Sequence, residues 1–225
     1  MIKIFIGFDP REEIVFHTCV SSIIHNTKKP VSIIPLNLDQ IKDVYKESHS
    51  DGTNQFIYSR FLVPFLSGFD GISIFLDGDM IVNSCLSQLV SNISSDKAVS
   101  IVKHNYETKH KTKYWGLPNE TYPRKNWSSV IVWNNKHIKN RILTPEFVAQ
   151  STGKYLHRFS WLDDNEIGDL DINWNWLVGE YEENKEAKIL HYTLGAPCFK
   201  GFAEFGHSAE WFKYNKLINN LSDDH

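Results

Sequence analysis

Two carboxylates separated by one glycine, Asp77-Gly78-Asp79, follow directly on the apolar run Ser73-Ile74-Phe75-Leu76 and precede Met80-Ile81-Val82. The run is too short for a helix and is closed by Asp-Gly. It therefore predicts a buried strand whose carboxyl end carries both acids at the rim of a sheet. Asp-Gly alone is also an ordinary turn signal. The second aspartate argues for more, because no basic residue lies between Ser73 and Ser84. Two adjacent acids repel unless a cation or a distant positive side chain sits between them, and hard divalent cations take carboxylate oxygen. A metal site is the sharper expectation, at the rim where open α/β sheets bind ligands.

The elements that must position this pair begin with a β-α-β unit. Ile2 to Gly7 predicts a strand, and Asp9-Pro10-Arg11-Glu12 a helix start with Asp9 at the N-cap, Pro10 at N1 and Glu12 at N3. Ile14, Val15, Cys19, Ile23 and Ile24 form the apolar stripe of a helix ending near Asn26, and Val31 to Pro35 is a second strand. A right-handed parallel crossover follows. Phe56 to Leu66 reads as a largely buried helix with Arg60 as its only charge, so Arg60 points toward an acid, and Pro64 marks a kink or a shifted boundary.

After the acidic strand come a short helix around Leu86 to Val90 and a strand from Ala98 to Val102. A polar, aromatic loop then runs from His104 to Lys125 as a lid, an acceptor loop or a solvated connection. Ser129 to Asn134 returns to strand character, and Thr144-Pro145-Glu146 starts a helix. Trp161-Leu162-Asp163-Asp164-Asn165-Glu166 puts a second acidic cluster behind a tryptophan. Trp174 and Trp176 alternate as in a strand and read as core. Lys188 to Gly195 is a short strand ending in His191, and the tail from Ser208 is a helix or a frayed end. No linker cuts the chain, so one domain over 1–205 with a tail over 206–225 is expected.

Composition bounds the function. The chain has 225 residues, is 41% hydrophobic and carries a net charge of -3, enough for a substantial core and without the basic footprint of nucleic-acid binding. Cys19, Cys85 and Cys198 fit neither a zinc motif nor a disulfide framework, which points to a reducing, cytoplasmic compartment. No run reaches the ~18 apolar residues of a membrane span. Peripheral contact with the inner face of a membrane stays open. Aromatic residues make up 13% of the chain, and they serve a core or the flat faces on which sugars pack.

A β-α-β start, an Asp-X-Asp after a middle strand and a late strand ending in His-X-X-X-Gly are together what a nucleotide-sugar site needs. The leaving diphosphate departs only if its charge is neutralised, and Mn2+ or Mg2+ held by carboxylates and an imidazole does that. In these residues the chain resembles the GT-A glycosyltransferases, and most closely glycosyltransferase family 8, the retaining galactosyl- and glucosyltransferases. The similarity runs from Ile2 to about Phe199 and rests on Phe8-Asp9, Tyr58-Ser59-Arg60, Asp77-Gly78-Asp79, Asn126-Trp127-Ser128-Ser129, Asp163-Asp164-Asn165, and His191 with Gly195.

The resemblance implies an α/β fold, a mostly parallel central sheet flanked by helices. It implies transfer of a hexose from a nucleotide sugar, UDP-linked, to a hydroxyl of a glycan or glycolipid under assembly, as in lipopolysaccharide synthesis. Asp77, Asp79 and His191 would ligate Mn2+ or Mg2+. Arg60 would brace the first aspartate, and Phe8 and Asp9 would meet the uracil and ribose. Gly78, Asn126, Ser128 and Gly195 match further donor-site positions, and Asp163 with Asp164 matches the acidic pair beneath the donor sugar. Two departures stand out. The family's Asp-Gln-Asp is Asp163-Asp164-Asn165 here, which makes Asp164 a candidate nucleophile, oxocarbenium stabiliser or general base and leaves retention or inversion open. The family's lysine and Pro-Trp are replaced by Ala196-Pro197-Cys198-Phe199, with Lys200 as the substitute in a different register.

Rival readings exist. Asp9 satisfies an N-cap without any ligand, Arg60 could pair with a structural acid, and Asp163-Asp164 could be a solvated helix start. A haloacid-dehalogenase-type phosphatase also carries Asp-X-Asp after a strand, with Asp77 as nucleophile, but its motif normally opens the fold and Met80 replaces the usual Thr or Val. A sugar nucleotidylyltransferase would need glycines that Gly7-Phe8-Asp9-Pro10-Arg11 lacks. An inactive, sugar-nucleotide-binding or lectin-like relative is the third alternative.

Overall fold

Ile4, Phe5 and Ile6, like Ile74, Phe75 and Leu76, are buried without alternation, as strands covered on both faces must be. In the computed structural model, which describes residues 1–52, 54–91 and 93–219, these runs are the central strands of a six-stranded sheet. The strands are β1 (Ile2–Gly7), β2 (Val31–Leu36), β3 (Ile72–Leu76), β4 (Met80–Val82), β5 (Val99–Ile101), β6 (Val130–Asn134), β7 (Ile167–Asp169), β8 (Trp176–Leu177) and β9 (Ile189–His191). The large sheet has the order β2-β1-β3-β6-β5-β7, and a small one the order β4-β9-β8. In the large sheet β6 alone runs against its neighbours, so the sheet is mixed, with five strands sharing one direction.

Alternate side chains of the same strands feed two cores. Phe5, Phe75, Ile131 and Trp133 pack with Phe61, Phe159 and Trp161 on one face. Ile4, Ile6, Ile74, Leu76 and Val132 pack against Phe16, Cys19 and Ile23 of the first helix, Glu13–Asn26, on the other. Burying a side chain of this size contributes about 1.5–3 kcal/mol before the entropy of ordering it is counted. A third cluster, with Leu190, Tyr192, Trp211 and Tyr214, joins the small sheet to the C-terminal helix Ser208–Asn219. That helix lies on the first one: Ser21 Oγ donates to the Tyr214 carbonyl at 3.1 Å, and Asn26 Nδ2 to the Tyr214 hydroxyl at 2.7 Å. Positions 220–225 of the expected tail lie outside the described residues. Among the described residues, no helix is long and apolar enough to cross a membrane.

Three local expectations are corrected. Phe56 to Leu66 is not one helix: a 3-10 turn, Ser59–Leu62, leads into the short helix Val63–Leu66. Pro64 has no N–H to give a helix interior, and it sits in the first turn, where that donor has no partner anyway. Trp174 lies in a 3-10 turn, Ile172–Asn175, and only Trp176–Leu177 is strand. Asp171 forces the turn by accepting from Asn173 N at 2.9 Å. Asp9 is the N-cap, accepting from Arg11 N at 3.0 Å, but it starts the 3-10 turn Pro10–Glu12, and the α-helix begins at Glu13.

Candidate functional site

The chain order places a ligand crevice between β1 and β3. β1 connects outward to β2 on one side, and the chain then returns to add β3 on the other, so the connections part at the carboxyl ends of β1 and β3. Such a parting leaves an open crevice. Both candidate segments leave the sheet there, Gly7-Phe8-Asp9 from β1 and Asp77-Gly78-Asp79 from β3. They are pressed together: a Cβ on Gly78 would stand 2.6 Å from the Gly7 carbonyl oxygen. Only glycine fits at that separation.

Asp77-Gly78-Asp79 is also where the chain changes sheets, from β3 into β4. β4 pairs antiparallel with β9, Met80 opposite His191, and Tyr192 N donates to the Asp79 carbonyl at 3.0 Å. The small sheet thereby carries a histidine from more than a hundred residues away to the two aspartates. Ligand atoms of Asp77, Asp79 and His191 lie within 4.8 Å of one another. His191 Nε2 is 3.4 Å from Asp79 Oδ1 and 3.9 Å from Asp77 Oδ2.

These residues fit a divalent cation. The donor set is two carboxylates and one imidazole, suited to Mn2+ or Mg2+ with further oxygen ligands. Asp77 Oδ1 and Asp79 Oδ1 are buried without a hydrogen-bond partner. Arg60 Nη1 comes within 2.7 Å of Asp77 Oδ1, a close charge contact whose angles are not those of a hydrogen bond. The guanidinium of Arg60 also donates to the Ser128 carbonyl at 2.9 Å and lies over the Phe75 ring at 5.0 Å. Burial pushes the Asp77 carboxyl up to about 6, against the pull of Arg60, and the Asp79 charge adds to the rise. Burial also acts on Asp79, but the charge of His191 beside it works the other way, and Asp79 is held below the usual carboxylate range.

A cavity of about 610 Å3 opens onto the cluster, and Arg60, Asp77, Asp79, Asn126, Ser128 and His191 line it. Asn126 holds a left-handed backbone (φ 61°) and donates to the Tyr106 hydroxyl at 2.9 Å. Ser128 Oγ pairs with His157 Nδ1 at 2.6 Å. The other expected residues do not line this cavity. Phe8 packs edge-on against Phe16, with ring centroids 5.2 Å apart. The carboxylate of Asp9 accepts from Arg11 and from Gln55 N at 3.2 Å. Gly195 (φ 153°) lets Phe202 and Tyr114 close on its backbone. Lys200 is exposed on a turn.

Asp163 and Asp164 are not brought to the cluster either. Asp164 is ion-paired with Arg124, and the Asp163 amide donates to Glu166 Oε2 at 2.8 Å. The segment enters β7 at Ile167, which pairs with Val99. Val99 pairs with Trp133, and Trp133 with Ser73. The acids therefore precede the end of the sheet where β3 begins, whereas Asp77 follows the end where it finishes.

The structure adds residues that the sequence did not single out. Lys113 and Tyr114, from the loop expected over 104–125, line the cavity. Burial lowers the ammonium pKa of Lys113 while the charges of Asp79, Asp77 and Glu12 act against it. Glu180, nearly inaccessible, anchors this loop by accepting from Lys109 N at 2.8 Å, Asn119 Nδ2 at 3.1 Å and the Thr108 hydroxyl. Glu12 is buried beside Tyr114, and burial, with the charges of Asp79 and Asp9, pushes its carboxyl up to about 7. Asn175, fully buried, faces His191. Glu12 reads in the sequence only as the third residue of a helix start, and the others have no spacing signature, because each acts through groups far away in the chain.

No family model matches the chain. Among curated proteins, Protein CDI of Arabidopsis thaliana is 36% identical over 234 residues, spanning 99% of this chain and 90% of that protein. Solved structures with the same fold include the apo form of WbbM, a bifunctional glycosyltransferase, with TM-score 0.64 and 14% identity over 95% of this chain and 49% of its own. The glycosyltransferase GlyE of Streptococcus pneumoniae TIGR4 gives 0.63 and 12% over 96% of this chain and 61% of its own. The galactosyltransferase LgtC, solved with donor and acceptor sugar analogues, gives 0.57 and 12% over 96% of both chains. This chain thus spans about half of WbbM and three fifths of GlyE but nearly all of LgtC. The fold is the GT-A fold of glycosyltransferases.

Proposed function

We propose that this chain, which belongs to the family of the Arabidopsis thaliana Protein CDI, is a metal-dependent glycosyltransferase. Its reaction moves a hexose from a nucleoside-diphosphate sugar, UDP-linked, to a hydroxyl of a glycan or glycolipid acceptor. The observation that carries the reading is the convergence of Asp77, Asp79 and His191 at the mouth of a large cavity, at the strand parting of a GT-A sheet.

A divalent cation bound there supplies charge neutralisation for the departing diphosphate. The chain's own residues supply position. Arg60 fixes the Asp77 carboxylate from behind and leaves its other oxygen, with Asp79 and His191 Nε2, directed at one point. Lys113, on the loop anchored by Glu180, brings a cation to the same cavity without a direct ion pair to either aspartate. It is the group on this chain best suited to a second phosphate charge, in place of the exposed Lys200. Asn126 and Ser128 line the stretch where the sugar would lie. No step is assigned to Asp163 or Asp164, which face solvent and do not line the cavity.

The test is calorimetric titration of UDP into metal-free protein, with and without added Mn2+. Binding should appear only with the metal and be lost in Asp79→Asn while the melting temperature of the metal-free protein is kept. Equal UDP binding without metal, or undiminished metal-dependent binding in the variant, would overturn the reading.

A further inference from the structure

His191 Nε2 is useful as a ligand only if it carries a lone pair. The neighbouring acids work against that, because a carboxylate 3.4 Å away favours an N–H at Nε2. The opposite nitrogen decides the matter, since a neutral imidazole has one hydrogen to place. His191 Nδ1 faces Asn175 Oδ1 at 3.0 Å.

The orientation of the Asn175 amide is set by its other neighbours. Its Nδ2 lies 3.3 Å from the Asn126 carbonyl oxygen, which can only accept. It also donates to Ser129 Oγ at 2.8 Å. The Ser129 hydroxyl hydrogen is itself given to the Asn126 carbonyl at 2.8 Å, so that oxygen is left to accept. Turning the amide over would set two carbonyl oxygens against each other in a fully buried site, at the cost of an unsatisfied polar group. The amide oxygen therefore points at His191, and Nδ1 must be the donor.

We propose that Asn175 is the positioning residue that holds His191 in the Nδ1–H tautomer and so makes Nε2 a metal ligand; the inference rests on the metal part of the reading above. Partners of this kind orient ligating histidines generally. The same network reaches the first aspartate, because Asp77 N donates to the Ser129 carbonyl at 3.0 Å. One hydrogen-bonded unit, Asn126-Ser129-Asn175, thus orders two of the three ligands before any ion arrives.

The test pairs two variants and two measurements. Asn175→Asp keeps an acceptor toward Nδ1 and loses the amide donor, whereas Asn175→Leu loses both. In metal-free wild-type protein, at a pH where the ring is neutral, nitrogen-15 NMR should find His191 protonated at Nδ1. Asn175→Leu should move the hydrogen to Nε2 and weaken Mn2+ binding by about 10–100-fold, with Asn175→Asp weakened less. Wild-type His191 protonated at Nε2, or equal loss of Mn2+ affinity in the two variants, would overturn the proposal, and the wild-type spectrum decides it even if Asn175→Leu does not fold. Wild-type protein with the Nδ1–H tautomer and Mn2+ binding but no UDP binding would support this inference and overturn the glycosyltransferase reading.

Discussion

Asp77/Asp79 and Asp163/Asp164 follow apolar or aromatic stretches, and each could be read as a working pair of acids. The first pair has side chains 13% and 17% exposed, the second 80% and 82%. Around the first, Arg60 and His191 arrive from two other elements, the acid pKa values move apart, and oxygens are left buried without donors. Around the second, Lys139 stands 3.8 Å from Asp163 and Arg124 meets Asp164 at the surface, contacts that water and salt screen to little effect. Spacing of acids along a chain marks candidates, and convergence with burial selects among them.

The largest way to break this contrast is Arg60→Met. It leaves the Asp77 charge buried without its partner, and stability measured by denaturant midpoint should fall by about 3–5 kcal/mol. A loss no larger than that of a surface substitution would remove the claim that burial separates the pairs. Glu12→Gln sharpens the contrast from the same side. The Glu12 carboxyl is pushed up to about 7 from an ordinary 4.5, so in the metal-free protein it binds a proton that the unfolded chain has already lost. Stability then falls as pH rises from about 4.5 through about 7, by on the order of 3 kcal/mol. The variant should show a flatter dependence of melting temperature on pH across that window, with its gain seen at pH 7.5 and not at pH 4.

The smallest effect belongs to the exposed pair. Asp164→Asn should change stability by less than about 0.5 kcal/mol and leave Mn2+ and UDP affinities where they were. A fall in turnover with donor affinity preserved would instead give that carboxylate a chemical role and require the 163–166 turn to close over the cavity in the working enzyme.

Much of the frame was legible because it is written in local physics. The β1 run, the Asp9-Pro10 turn start and the helix to Asn26 depend on neighbours in sequence, and they fold close to where their patterns put them, with a 3-10 turn before the helix proper. The strand that ends at Asp77 and the strand that ends at His191 were equally readable. Pro64 hid a break inside an apolar run, because hydrophobicity signals burial more strongly than it signals helix. The loop around Lys113 has no period at all, and its shape comes from the buried carboxylate of Glu180, more than fifty residues away.

The sequence by itself determined the main strands, the Asp9-capped turn leading into the first helix, the position of the acid pair at a strand end and the chemistry those acids and His191 could do. Tertiary structure decided which acids are buried and brought together with His191. The parting of β1 and β3 opens the crevice, the change of sheet at Gly78 brings His191 alongside, and Asn175 sets its amide oxygen against Nδ1 of that imidazole. The physical reason is range: capping and strand formation are settled within a few residues, whereas charge neutralisation, desolvation and a shared hydrogen-bond network are settled only by groups that the chain brings together from far apart.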